Sequence, residues 1–170
     1  MDEFDGILRQ ATASIAPEYF RLPVVGGAVV FRERVYCYEL YHQLRLLWPK
    51  DCGFRLNGEV DKRSHPYFAE NGWAPKPDFL IHAPGSNNNY LVIEVKSVDS
   101  LMSGGVLKDL STLGRFKAEA GYRRAMHLVF GTTGAAMLEV VRRAALDPER
   151  VRGIEFWGHP EPGRAAEPAA

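Results

Sequence analysis

Residues 77–96 read PDFLIHAPGSNNNYLVIEVK, and this stretch decides the predicted fold. Both of its arms are rich in β-branched and aromatic residues, and a run of turn formers at 84–89 separates them, which predicts two antiparallel strands joined as a hairpin. With the loop centred near Ser86, Asp78 on the first strand lies opposite Glu94 on the second. The stretch therefore predicts a hairpin that brings two carboxylates together.

The two faces of this hairpin differ in polarity, because side chains alternate between faces along a strand. One face is wholly apolar and is expected to pack in the core: Phe79, Ile81, Leu91, Ile93 and Val95. The other face gathers four polar side chains: Asp78, His82, Glu94 and Lys96. The same register places His82 opposite Tyr90. Two carboxylates that face each other repel unless a cation lies between them, so a divalent metal ion is expected there.

The expected metal site has oxygen ligands. Carboxylate oxygens suit Mg²⁺ or Mn²⁺ better than zinc, which prefers Cys and His. Asp78 and Glu94 are the first candidates, and the backbone carbonyl of Val95 and water molecules are further ones. Lys96 lies two residues after Glu94 and points to the same side of the strand, where its ammonium group can reach a metal-bound water or the anionic centre under attack.

Pro77-Asp78, followed by Glu94-Val95-Lys96 at the end of an apolar strand, resembles the PD-(D/E)xK nuclease superfamily, which has the restriction-endonuclease-like fold. The resemblance covers roughly residues 32–131. It implies an α/β core with a mixed central sheet, in which an antiparallel meander is joined by a helix crossover to a parallel strand. Superfamily members use the Asp and Glu as metal ligands and the Lys to orient or activate water. The resemblance thus implies a metal-dependent nuclease, with DNA as the favoured substrate.

The helix predicted before the hairpin supplies a further candidate ligand. Residues 32–48 show the strongest helical periodicity in the chain. Glu39 lies among aromatic residues of this helix, where burial of a carboxylate without a partner would be costly. In the superfamily a glutamate on this helix commonly points at the metal, and Glu39 is the residue that resembles it. The alternative is a glutamate on the helix surface that interacts with His42.

Basic residues on either side of the hairpin are the predicted substrate contacts. Superfamily members often place a basic or amide residue from the helix after the hairpin near the site, and Lys108 in the helix predicted at 106–120 is the candidate here. Lys62 and Arg63 are candidates for contacts with flanking phosphates. Because basic residues are scattered along the chain, we expect such contacts to be weak and independent of sequence.

The rest of the chain adds helices and strands around this core. Periodicity and turn residues predict helices at 2–16 and 135–145, and strands at 54–62, 124–130 and 153–157. The strand at 124–130 is expected to be parallel to the one that bears Glu94, because a helix connects them. A single domain is predicted over residues 1–158. The tail at 159–170 is rich in Pro, Gly, Ala and Glu and is expected to be disordered.

The composition limits the classes of partner. Lys and Arg number 21, and Asp and Glu also number 21, so no overall charge attracts nucleic acid. Cys37 and Cys52 have no metal-binding spacing and are expected to be free thiols. The acidic start and the absence of a long apolar run predict a cytoplasmic protein without a membrane partner. We expect a small neutral nuclease of this kind to act as a homodimer or together with partner proteins of a bacterial defence or repair system. Such a system would direct it to its substrate.

Two other functions fit the same pattern. The first is a catalytically inactive protein of the same fold that serves as an interaction module in a multi-protein complex. Neutral charge and the aromatic-rich helix at 36–48 favour it. The second is a metal-dependent phosphoesterase that acts on nucleotides or RNA. Metal binding would distinguish the nuclease from the inactive interaction module. The substrate that is hydrolysed would distinguish it from the phosphoesterase.

Overall fold

A six-stranded mixed β-sheet with helices on both faces organises the computed structural model of this chain. The structure describes residues 3–60, 70, 72–73, 75–102, 106–144 and 151–169, without the side chains of Met102 and Ala144. A second, two-stranded sheet lies apart from the main one. The predicted α/β class with a mixed central sheet flanked by helices is confirmed.

The described helices and strands follow the predicted order closely. The helices are α1 (Glu3–Ala13), α2 (Pro17–Phe20), α3 (Glu33–Leu47), α4 (Val98–Met102), α5 (Val106–Ala118) and α6 (Gly134–Ala144). The strands are β1 (Leu22–Pro23), β2 (Val29–Val30), β3 (Arg55–Gly58), β4 (Phe79–His82), β5 (Asn89–Ser97), β6 (Arg124–Phe130), β7 (Ile154–His159) and β8 (Glu167–Pro168). Helices α1, α3, α5 and α6 and strands β3 to β7 correspond to predicted elements.

The main sheet has the strand order β3-β4-β5-β6-β7-β8. Strands β3, β4 and β5 form an antiparallel meander, whereas β5, β6 and β7 are parallel to one another. Helices α4 and α5 lie between β5 and β6, and α6 lies between β6 and β7, because parallel neighbours need a crossover connection. The predicted meander and the helix crossover to a parallel strand are both confirmed.

The register of the central hairpin agrees with the prediction at its open end. Phe79 pairs with Ile93 and Leu80 with Val92. A bulge between Ile81 and His82 then shifts the pairing, so that His82 lies opposite Asn89 and the predicted pairing with Tyr90 is wrong. A bulge inserts one extra residue into a strand and changes the register only beyond it. It lies on the loop side, and the end that carries Asp78 and Glu94 keeps its predicted register.

Apolar side chains cover both faces of the hairpin. The predicted core face packs against α1 and α3, in a cluster with Tyr36 and Leu40. On the opposite face, Leu80 and Val92 are buried in a second cluster with side chains of α5 and α6. Parallel crossovers place helices on both faces of a sheet, so the middle of the predicted polar face is apolar and buried. Its polar residues lie at the two ends.

The carboxyl-terminal segment is ordered through residue 169, so the predicted disorder of this tail was wrong. Strand β8 pairs antiparallel with β7. The N–H of Ala166 donates to Thr12 Oγ1 at 2.8 Å, and the N–H of Ala169 donates to the carbonyl of Phe156 at 2.8 Å. Ala166 is fully buried. Backbone hydrogen bonds and one small buried side chain fix the segment, although its composition offers few large apolar residues.

Candidate active site

The predicted site residues Asp78, Glu94, Val95 and Lys96 meet at the end of the hairpin where β5 extends past β4. The backbone N–H of Val95 donates to Asp78 Oδ2 at 2.7 Å. In an extended strand the N–H and C=O of one residue point to the same side, so the carbonyl of Val95 also points toward Asp78. The structure therefore brings together the two carboxylates, the carbonyl and the lysine that the sequence pattern predicted.

Asp78 and Glu94 both have a raised pKa, and burial is the main cause for each. Burial raises the pKa of Asp78 to about 6, although the hydrogen bond from Val95 and the charge of Lys96 act in the opposite direction. Burial, followed by the charges of Asp78 and Asp109, raises the pKa of Glu94 well above its ordinary value. Two carboxylates close together in a poorly solvated place cannot both ionise easily. The pair therefore has the electrostatics of a cation site.

Lys96 is held between two carboxylates from different helices. Its Nζ lies 3.3 Å from Glu33 Oε2 and 3.6 Å from Asp109 Oδ2. Burial lowers the pKa of Lys96, but the charges of Asp109 and Glu33 outweigh it and leave that pKa above its ordinary value. The ammonium group is thus positively charged at neutral pH and has a fixed place beside Asp78 and Glu94.

Glu33, the first residue of α3, is a site residue that the sequence analysis missed. Its Oε1 accepts hydrogen bonds from the N–H of Ser97 at 3.2 Å and from Ser97 Oγ at 3.5 Å. Burial raises the pKa of the Cys37 thiol, and the charges of Asp78, Glu33 and Glu94 raise it further. Cys37 lies one turn after Glu33, so the buried face of α3 borders the carboxylates. The helical spacing from Glu33 to Cys37 was the available signal.

Glu39 lies on a different side of α3. Gln43 Nε2 donates to Glu39 Oε1 at 2.7 Å, a contact along the helix. At about 100° per residue, Glu39 is rotated by about 240° from Glu33 around the helix axis. The expected helix glutamate is therefore corrected from Glu39 to Glu33, because Glu33 shares its face with the buried residues and Glu39 does not.

Asp109 and His127 complete the surroundings of Lys96. Asp109 is buried on α5, and His127 on β6 lies beside Glu94 in the register of the parallel strands. His127 Nε2 is 3.7 Å from Asp109 Oδ2, which is longer than a hydrogen bond. These two atoms and His127 Nδ1 are buried and have no hydrogen-bond partner among the residues that the structure describes. Unsatisfied buried polar atoms are rare and often belong to functional sites. Their separation from the hairpin in sequence kept them out of the predicted set.

Of the three predicted substrate contacts, Lys108 is the one that the structure describes, and it is not part of this cluster. Lys108 precedes Asp109 on α5, and its side chain is exposed where that of Asp109 is buried. Lys62 and Arg63 lie outside the described residues. His82 is at the far end of the hairpin, where its Nε2 lies 3.0 Å from Asn57 Oδ1.

The donor chemistry of the site fits a hard divalent cation. Among the residues that the structure describes, no group of three or more His, Cys, Asp or Glu side chains could hold a metal ion. Mg²⁺ does not need such a group, because it keeps several waters and is commonly bound through one or two carboxylates. Asp78, Glu94 and the carbonyl of Val95 offer oxygen atoms only. The set therefore suits Mg²⁺ or Mn²⁺ and does not suit zinc.

Comparisons with known proteins add no family to these observations. No protein-family model, curated protein or solved structure matches this chain. No helix in the described part of the chain is both long and apolar enough to cross a membrane. We therefore base the functional proposal on the fold and on the residues of the candidate site.

Proposed function

We propose that this protein is a metal-dependent nuclease of the PD-(D/E)xK type, which hydrolyses phosphodiester bonds in nucleic acid and favours DNA. The observation that carries the proposal is the placement of Asp78 against Glu94, with Lys96 charged beside them. The antiparallel meander, the crossover and the parallel strand support a restriction-endonuclease-like core. Carboxylates with a perturbed pKa beside a half-buried lysine are typical of functional sites.

Asp78 and Glu94, with the carbonyl of Val95, are the residues that would hold Mg²⁺ or Mn²⁺. Burial raises the pKa of both carboxylates, and the charge of Asp78 raises that of Glu94 further, which supports this assignment because a bound cation favours the charged form of both. When bound, the ion would polarise the scissile phosphate and lower the pKa of a coordinated water.

Lys96 is the residue proposed to stabilise charge in the reaction. Its ammonium group is charged at neutral pH, and Glu33 and Asp109 hold its position from two sides. A positioned cation in a poorly solvated site stabilises developing negative charge more strongly than one in water. Glu33 also accepts from the N–H of Ser97 and so anchors the end of β5 to α3. We assign Glu33 and Asp109 as positioning residues for Lys96.

A catalytically inactive interaction module of the same fold is the second candidate. Lys96 already serves as a counter-ion for the surrounding carboxylates, and the described residues contain no ready group of three metal-binding side chains. A protein that had lost catalysis would keep Lys96 as a structural counter-ion. Metal binding by the intact protein distinguishes the two functions.

The test is cleavage by the purified protein of plasmid DNA, linear duplex, single strands and RNA with Mg²⁺, Mn²⁺ or EDTA. We expect cleavage with metal only, and loss of cleavage in Asp78→Asn and in Lys96→Ala, both folded by circular dichroism. Lys50→Ala serves as the matched control, because Lys50 is an exposed lysine that follows the carboxyl end of α3, whereas the candidate site lies at the amino end of that helix. Absence of both cleavage and Mn²⁺ binding in calorimetry would exclude the nuclease and leave the interaction module.

A further inference from the structure

The segment before α3 is an exposed ribbon without polar side chains. Residues 22–31 read LPVVGGAVVF, and none of them carries a charged or hydrogen-bonding side chain. Strands β1 and β2 pair antiparallel within it, Leu22 with Val30 and Pro23 with Val29. We refer to residues 22–31 as the apolar ribbon. The sequence analysis assigned no function to it.

The tip of the apolar ribbon is a hydrogen-bonded turn. The N–H of Gly27 donates to the carbonyl of Val24 at 3.1 Å, and the N–H of Val24 donates to the carbonyl of Ala28 at 3.0 Å. Gly26 and Gly27 have φ of 99° and 82°, which favour glycine. Val25 is 106% exposed and Val29 57% exposed. A defined turn thus presents apolar side chains to the solvent, and such surfaces mark interaction sites.

The root of the apolar ribbon is anchored at the rim of the candidate site. The Phe31 ring packs edge-on against Phe20 and Phe130, with centroid distances of 6.1 and 5.5 Å. A Cβ on Gly131 would lie 3.0 Å from Phe31 Cζ and 2.9 Å from Val98 Cγ1, so the root packs closely over the ends of β5 and β6. Glu33, which contacts Lys96, follows Phe31 by two residues.

Arginines flank the apolar ribbon on both sides in the sequence. Arg21 precedes it and Arg32 follows it, and both are exposed. The guanidinium of Arg21 lies 5.4 Å from the centroid of the Phe31 ring. Arg21 shares a groove with Glu18 and Glu161, so we expect Arg32 to be the residue that contacts phosphate. An apolar tip with a cation at its root is complementary to bases that are flanked by phosphates.

We propose that the apolar ribbon is a wedge that inserts Val25 between bases of the nucleic acid held at the candidate site. The inference rests on the proposed nuclease function. Apolar side chains inserted between base steps unstack them, and Val25 loses its exposure to water in the process. Mismatched or unpaired bases cost less to unstack than a continuous duplex. The wedge therefore predicts faster cleavage of duplexes that carry a mismatch or a flap than of fully paired ones.

The test compares Val25→Ser with Leu46→Ser. Leu46 is 67% exposed near the carboxyl end of α3, so the control removes a similar apolar side chain away from the ribbon. We expect Val25→Ser to lower kcat/KM on paired duplex by about tenfold, and less on a mismatched one. We expect Mn²⁺ affinity and the unfolding midpoint to remain those of the wild type. In the Asp78→Asn background, fluorescence of a 2-aminopurine in the duplex should rise on binding, and Val25→Ser should abolish that rise.

Each other outcome has a defined meaning. If the wild type cuts no nucleic acid, the proposed function fails and the wedge fails with it. If the wild type cuts but Val25→Ser equals Leu46→Ser on every substrate, the wedge is wrong and the nuclease stands. If Val25→Ser also loses Mn²⁺ affinity, the ribbon supports the site instead of contacting bases, and the wedge is again wrong.

Discussion

Two clusters of charged side chains lie at opposite ends of the parallel strands β5 and β6, and they differ in balance. At the start of β6, the Arg124 guanidinium bonds Asp5 at 2.7 Å, Glu155 at 2.6 Å and the Tyr90 hydroxyl at 3.2 Å. The hydrogen bonds that Arg124 donates to Glu155 and Asp5 raise the pKa of Arg124, although burial acts against them. This cluster joins α1, β6 and β7 and satisfies its charges internally.

At the other end, the described part of the chain places four carboxylates around one lysine. The carboxylates are Glu33, Asp78, Glu94 and Asp109, and Lys96 is the cation among them. No described residue donates a hydrogen bond to Asp109 Oδ2, and the pKa values of Asp78 and Glu94 are raised. The same sheet therefore contains one compensated cluster and one that keeps an unresolved repulsion. Of these two clusters, the one around Lys96 has the excess of carboxylates and the raised pKa values, which favours a functional explanation for it.

Breaking the compensated cluster should give the largest change in stability. Arg124→Met leaves Asp5 and Glu155 without their shared cation, and we expect the free energy of unfolding to fall by roughly 2–3 kcal/mol. Urea denaturation measures it. Arg123→Met is the matched control, because the exposed Arg123 bonds only the side chain of Asn88 among the contacts described and its loss should matter little. A change below about 0.5 kcal/mol in Arg124→Met would contradict the structural role.

Weakening the contacts that hold the Lys96 ammonium group in place should reduce the rate of catalysis. In Glu33→Gln, Lys96 loses a charged partner, and we expect kcat on DNA to fall roughly 10–100-fold with little change in KM. Glu39→Gln is the control, because Glu39 pairs with Gln43 and should retain wild-type rates. Equal losses in the two variants would show that α3 supports the fold and does not position Lys96.

Removing one of the two opposed carboxylates should stabilise the metal-free protein. The pKa of Asp78 is raised to about 6, so the folded state binds more protons than the unfolded state between its ordinary value and about pH 6. Stability contributed by Asp78 is therefore lost as pH rises through that window. At pH 7.5 the free energy of unfolding of Asp78→Asn should exceed that of the wild type by on the order of 1–2 kcal/mol. At pH 4 the two free energies should be nearly equal. Urea denaturation of both proteins at both pH values measures the difference. A variant that is less stable than the wild type at pH 7.5 would contradict the prediction.

Metal binding should produce the smallest change in stability. The stabilisation should appear as the pH rises above the pKa of the carboxylates. Because ligands must lose their protons, Mn²⁺ should raise the unfolding temperature more at pH 7.5 than at pH 5.5. At ten times its dissociation constant the ion contributes about 1.4 kcal/mol, which is a shift of a few degrees. Differential scanning fluorimetry measures it, and Asp78→Asn should abolish the shift. An equal shift at both pH values would place the ion elsewhere.

The residues that the hairpin contributes to the site could be predicted from the sequence. The residues that the helices contribute could not. Turn residues and alternation set the pairing of β4 with β5 locally, so the opposition of Asp78 and Glu94 could be derived. Glu33 contacts Ser97, which is 64 residues away in the sequence. Periodicity does not predict a contact between the end of a helix and the end of a distant strand. Burial of Glu39 among aromatic residues suggested a partner, but Gln43 on the same helix supplies it.

The sequence by itself determined the α/β class, the meander and the face on which Asp78, Glu94 and Lys96 meet, because turn chemistry and periods of 2 and 3.6 residues act locally. Only the tertiary structure decided that Glu33 and Asp109 hold Lys96, that His127 is buried beside Glu94, and that residues 159–169 form an ordered edge. These depend on how layers pack and on backbone hydrogen bonds between distant segments. Such terms are absent from any single window of sequence.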